Sequence, residues 1–161
     1  MIMKVIARWS VIVLMLLVAN IAHAGKLSDD NLNEFLLKYG ADFSAHTERL
    51  FLGFVKYRAH DDYQGFGAFK DKEWLPDYDR DKRDYDSILE ENRGYLTDNG
   101  LTWLFDDFSE LTSAANALWN DIKLKDKSIR RVQHEKLKTH LLRVQELFAK
   151  RGLKTRSRFV F

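Results

Sequence analysis

Apolar side chains return every three or four residues along four stretches of the chain, the spacing of one buried helical face. The first stretch runs from about Ser28 to Arg58 and carries Leu32, Phe35, Leu36, Tyr39, Phe43, Leu50, Phe51 and Phe54. Ser28 reads as its N-cap, and Asp29, Asp30 and Glu34 suit the positive end of the helix dipole. Gly40 interrupts the run and permits close packing or a slight bend. A second helix is predicted over Asp84–Leu96, with Tyr85, Ile88, Leu89 and Tyr95 facing inwards and Asp98, Asn99 and Gly100 forming the turn after it. The third, Thr102 to about Lys123, has the inner stripe Leu104, Phe105, Phe108, Leu111, Ala115, Leu118, Trp119 and Ile122. Ser128 caps the fourth, which runs to about Arg151 with Ile129, Val132, Leu137, Leu141, Val144, Leu147 and Phe148 inside and Gly152 as its stop. Short connections after the second and third helices make neighbours antiparallel, so the pattern predicts an all-α fold, an antiparallel four-helix bundle.

Between the first two helices the period fails. His60–Lys82 contains Gly65, Gly67 and Pro76, many aspartates, and the aromatics Tyr63, Phe66, Phe69, Trp74 and Tyr78. This predicts a long aromatic- and Asp-rich crossover, and irregular segments of such length in compact domains are often functional. The five aromatics are candidate anchors for a protein partner. The alternative is that Phe66, Phe69 and Trp74 fold back and cap the open end of the core.

Ahead of the helices, Met1–Ala24 has the three parts of an export signal. Lys4 and Arg8 form a basic front, Ser10–Ile21 an apolar stretch, and Ala22, His23 and Ala24 a small-x-small cleavage pattern. The apolar stretch is shorter than the ~20 residues of a spanning helix, so cleavage after Ala24 is expected and stable membrane insertion is not. Residues 25–161 then form a single periplasmic or secreted helical domain with a basic tail at 152–161.

Composition narrows the chemistry. The 161-residue chain has no cysteine, which excludes disulfides, thiolate metal sites, iron–sulfur clusters and covalently attached haem. All 3 methionines lie in the signal. Hydrophobic residues at 45% and aromatics at 13% exclude a disordered chain. The formal net charge of +2 belongs to Lys4 and Arg8, and the remainder is neutral but divided. Residues 25–121 carry a net −10 and residues 122–161 a net +10. One reading is that the basic last helix lies against acidic earlier helices. The sharper reading is a basic face, with Arg130, Arg131, Lys138 and Arg143, for an acidic partner. Export disfavours nucleic acid as that partner.

Candidate chemistry starts with the histidines. His46 and His140 fall beside the apolar stripes of long helices, where two imidazoles can clamp a b-type haem or hold a metal; the simpler reading is two core-edge histidines, each with one hydrogen bond. The run from Asp77 to Asp86 presents aspartates at a calcium-loop spacing. Lys82, Arg83, Asp84 and Ile88 then occupy positions that need a ligand, a glycine or the closing glutamate, so a charged lead-in to a helix is expected. Glu73, Glu48 and neighbouring aspartates supply carboxylates for glycan cleavage, but no motif selects a pair. No nucleophile elbow, phosphate loop, dinucleotide fingerprint or His-Glu-x-x-His occurs. The chain ends on Phe159, Val160 and Phe161, a terminus of the kind bound by strand addition or docked on its own bundle. The expectation is a non-enzymatic, exported protein with no catalytic residues and no cofactor. It acts through contact with another envelope protein as an inhibitor or immunity protein, a chaperone or a secretion accessory. Haem or metal binding at His46 and His140 is the alternative, and cell-wall glycan binding a weaker one. Self-association is compatible with such a fold.

Overall fold

The structure, a computed structural model, describes residues 25–154, without the side chains of Ile129, Arg130 and His134. The signal at 1–24, Arg130 as a contact residue, and Phe159 and Phe161 lie outside the described residues. Every regular element is helical among the described residues: α1 (Leu32–Arg58), α2 (Tyr63–Phe69), a π turn (Lys70–Trp74), α3 (Leu75–Glu91), α4 (Arg93–Asp98), α5 (Leu104–Leu124) and α6 (Lys127–Lys150). None of these helices is long and apolar enough to cross a membrane.

The expected crossover is the main correction. Residues 63–91 form one unbroken helical run in place of an irregular connection. Asp62 caps its start, its carboxylate accepting from Gly65 N–H at 2.7 Å. The π turn answers Pro76. Proline cannot donate to the carbonyl of Lys72, and in a plain α-helix its ring presses on that carbonyl. Widening the preceding turn, with Leu75 N–H donating to Lys70 O, absorbs the conflict without ending the helix.

Other boundaries shift for local reasons. α1 begins at Leu32 and not at Ser28, whose carbonyl accepts from Asn31 and Leu32 N–H. The second predicted helix is interrupted at Asn92, a buried side chain whose Oδ1 accepts from Leu27 N–H at 2.6 Å and whose Nδ2 donates to Ile88 O at 2.8 Å. That pair ties the N-terminal segment to the end of α3. α4 and α6 end at Gly100 and Gly152, where Leu101 N–H returns to Leu96 O and Leu153 N–H to Phe148 O, both at 2.8 Å. Asp126, not Ser128, caps α6.

α1 packs against α2, α3 and α5, and α6 lies along α5. Gly40 of α1 faces the Phe148 ring and Val144 of α6, so the two helices approach where a side chain would intervene. The core is an aromatic seam. Trp74 stacks on Tyr78 at 4.4 Å, Tyr78 on Phe108 at 5.8 Å, and Phe108 meets Tyr39 edge-on at 5.4 Å. Gly53 gives the Phe69 ring its place. A Cβ there would fall 2.6 Å from Phe69 Cζ and closer still to Cε1. Gly53→Ala is therefore expected to destabilise by about 1–3 kcal/mol, despite the better helix propensity of alanine. Gly94→Ala, with open space around it, should be neutral or stabilising by up to about 1 kcal/mol. Urea unfolding of the two variants side by side checks the contrast.

Candidate functional site

The aromatic anchors read from the sequence are brought together, but inside the protein. Phe66, Trp74 and Tyr78 are 0% exposed and Phe69 8%, while Tyr63 is half-buried, edge-on to Trp119 at 6.2 Å. Their polar tips are satisfied internally. Trp74 Nε1–H donates to His46 O at 3.0 Å, and the Tyr78 hydroxyl lies against Phe108 O and Thr112 Oγ1. Burial pushes the Tyr78 pKa up to about 12, so the hydroxyl stays a neutral donor. Phe66, Trp74 and Tyr78 are core, with no surface left to offer a partner, whereas Tyr63 keeps part of its ring exposed and an edge of Phe69 lines an open groove.

Each candidate histidine is joined to an aspartate. His46 Nε2 lies 2.9 Å from Asp81 Oδ2, its ring enclosed edge-on by Tyr78 at 5.5 Å and by Phe108 at 6.3 Å. His140 Nδ1–H donates to Asp107 Oδ1. The Tyr39 hydroxyl lies 3.2 Å from the other Asp107 oxygen and 2.9 Å from Leu104 O. Asp107 is fully buried, and burial raises its carboxyl above the usual range against the opposing pull of His140 and Tyr39. Burial, then the Asp107 charge, drives the Tyr39 phenol well above its ordinary value. The Tyr39 and Phe108 rings, in mutual contact, connect the two histidine sites. Among the described residues, no group of three or more histidine, aspartate or glutamate side chains is placed to hold a metal ion.

Both buried aspartates of α5 were readable in principle. Asp107 falls on the inner stripe between Leu104 and Leu111, and Asp121 follows Leu118 by one turn. A carboxylate at such a position demands a partner. Asp121 finds Arg58, whose Nε stands 3.4 Å away, and neither carboxylate oxygen accepts a hydrogen bond among the described residues.

The aspartate run lies on α3 as a charged face in which Asp77, Asp81 and Asp86 are paired. Asp77 accepts from Arg49 at 2.8 Å and from Arg80 at 3.3 Å, Asp81 takes His46 and Arg80, and Asp86 takes Lys82. Glu48 and Glu73 do share a feature: both line an open groove of about 390 Å³ between α1 and the π turn, with Arg49, Leu52, Lys56 and Tyr57. Arg49 crosses to Glu73 O at 2.5 Å.

The outer face of α6 is the other exposed feature. Arg131 and Arg143 are exposed and Lys138 half-buried, and none of the three forms an ion pair among the described residues. Lys136 alone of the lysines and arginines on α6 reaches a carboxylate of another helix among those residues, Glu110 at 3.4 Å. Val132, assigned to the inner face by its spacing, is 52% exposed, and Leu142 is 46% exposed. Val132 stands five residues before Leu137, out of phase with the buried stripe of Leu137, Leu141, Val144 and Phe148. The face is thus mixed with a basic excess: exposed Glu135 and Glu146 stand among these cations, and two apolar side chains are set between them. Comparison of the chain with protein-family models, with characterised proteins and with solved structures finds no match.

Proposed function

We propose that the protein is an exported, non-enzymatic helical bundle that acts by contact with another envelope protein, one presenting an acidic surface. The observation carrying this reading is the outer face of α6, where Arg131, Lys138 and Arg143, in excess over exposed Glu135 and Glu146, flank exposed Val132 and Leu142 and form no ion pair among the described residues, although the Arg143 charge also bears on buried Asp107. Exposed cations steer an acidic partner and fix its register, and the apolar side chains between them supply desolvated contact. The bundle is read as antiparallel, with α1, the run from α2 through α3, α5 and α6 as its four arms. The two-residue connection at Lys125 and Asp126 supports a reversal between the last two arms. The leader at 1–24 places the mature chain in the periplasm or outside the cell, and its removal after Ala24 is part of the proposal.

The test is affinity capture from an envelope extract by the tagged protein, with mass spectrometry and an absorption spectrum of the same eluate. A stoichiometric partner in a colourless eluate supports the reading. The triple change Arg131→Glu, Lys138→Glu and Arg143→Glu should then cut capture at least about tenfold, roughly 1.4 kcal/mol, compared at a temperature where circular dichroism shows the variant folded, because the Arg143 charge also bears on buried Asp107. Undiminished capture by the triple variant removes α6 as the contact face. A haem spectrum without a protein partner replaces the contact reading with ligand binding at His46 and His140. Fragments released from purified peptidoglycan would turn attention to Glu48 and Glu73.

A further inference from the structure

We propose that the outward face of α1 pairs antiparallel with the same face of a second copy of the chain, about a twofold axis at Leu52. This surface is separate from the α6 face and does not depend on it.

α1 exposes an apolar stripe on the side away from its packed neighbours. Leu52 is 64% exposed and Val55 62%, with exposed Ala45 and Ala59 continuing the line at helical spacing. Two charges interrupt it, Glu48 and Lys56, each four residues from Leu52. Neither forms an ion pair among the described residues; Lys56 rests over its neighbour Tyr57 at 5.0 Å from the ring centroid. Arg49, next in line, has its charge already engaged by Asp77 at 2.8 Å and by the Glu73 carbonyl at 2.5 Å.

This order is self-complementary. In an antiparallel pair centred on Leu52, Glu48 of one copy stands opposite Lys56 of the other, about 6 Å along the helix from the axis, and the same pair recurs on the far side. Leu52 meets Leu52, and Ala45 meets Ala59, small side chains that let two helices approach. The groove bounded by Ala45, Gly53, Tyr57 and Phe69 lies beside Leu52 and receives apolar side chains of the other copy. A parallel pairing sets Glu48 on Glu48, and a lipid surface buries Glu48 without a cation, so charge complementarity selects a second, antiparallel copy. The contact spans only a few turns of one helix, below the area of a standard stable interface, so the dimer belongs to the weak, micromolar class.

Sedimentation velocity on the purified protein, from about 1 to about 500 µM, reads the association directly. Monomer–dimer exchange is expected in that range. Glu48→Lys and Lys56→Glu, both exposed positions, should each weaken it at least about tenfold, because each creates two like-charge contacts across the axis. The double variant should return to within about threefold of the parent, since the pairs are restored in reverse. Leu52→Asp should abolish it. Circular dichroism confirms that each variant is folded. A monomer across the whole range overturns the proposal, as does a dimer indifferent to Glu48→Lys or a double variant that fails to recover.

Discussion

Replacing Trp74 with alanine is expected to cost about 4 kcal/mol and to lower the melting midpoint by about 15 °C. Trp74 is among the largest fully buried side chains. Its ring stacks on Tyr78 at 4.4 Å, and that stack continues through Phe108 to Tyr39 and Tyr85. Removal opens a void at the end of this seam, inside the π turn itself, where a fully buried ring is lost. It also strips the buried His46 carbonyl of the N–H that meets it at 3.0 Å, a loss worth about 1 kcal/mol or more. Thermal and urea unfolding measure the effect. At temperatures where the variant is still folded, partner capture should match the parent, because the ring is absent from the surface. A cost below about 1 kcal/mol contradicts its place in the core.

The second large effect concerns the buried pair between α5 and α6. His140→Ala should destabilise by about 3 kcal/mol at neutral pH, since it leaves the buried Asp107 carboxylate with the Tyr39 hydroxyl as its side-chain hydrogen-bond partner and only the weaker influence of the Arg143 charge. The loss carries a pH signature. The Asp107 carboxyl is already raised above its ordinary value by burial, and His140 is the strongest influence holding it down. A carboxyl raised in the folded state binds its proton more tightly there than in the unfolded chain. Its contribution is fully present below the unfolded pKa and is lost as pH rises through the folded value. Without His140 that folded value climbs further. The gap between variant and parent is therefore widest at neutral pH and narrows as pH falls towards the ordinary carboxylate value of 3.8. Urea midpoints across this window test it. Adding Asp107→Asn to the variant should flatten the dependence, and a gap that stays constant with pH would assign the cost to lost packing alone.

The long helices were legible because each keeps one apolar phase over many turns. All the apolar positions expected to face inwards from α1 are buried or half-buried, and the same holds for α5. The crossover was not legible, for a definite reason. The buried positions along the run from α2 through α3 are Phe66, Phe69, Trp74, Tyr78, Tyr85 and Leu89, and the step from Phe69 to Trp74 is five residues. At about 100° per residue that step throws the later positions onto another face of an ideal helix, so the period reads as broken. The π turn takes up one residue there and restores the common face. Two glycines, a proline and a dense charge run reinforced the impression of a loop. The histidine sites were half legible. His46 and His140 stood out at the core edge, but their partners Asp81 and Asp107 come from other helices, and one sequence carries no sign of which carboxylate crosses to which ring. The basic residues of α6 were read from the charge split, but exposed Val132 and Leu142 among them, and the exposed stripe of α1, escaped a reading that looked for surface anchors among the largest aromatic rings.

The π turn also bears on ancestry. A wide turn of this kind differs from an ordinary one by a single inserted residue, placed here within 70–74. A lineage without that residue would carry the same seam of rings on an uninterrupted α-helix, its Phe66 side and its Tyr85 side in phase from the start. Alignment of such a chain with this one must open a one-residue gap inside this turn. Without the gap, either α1 and α2 or the four helices from α3 to α6 are matched out of register, and the kinship disappears from view.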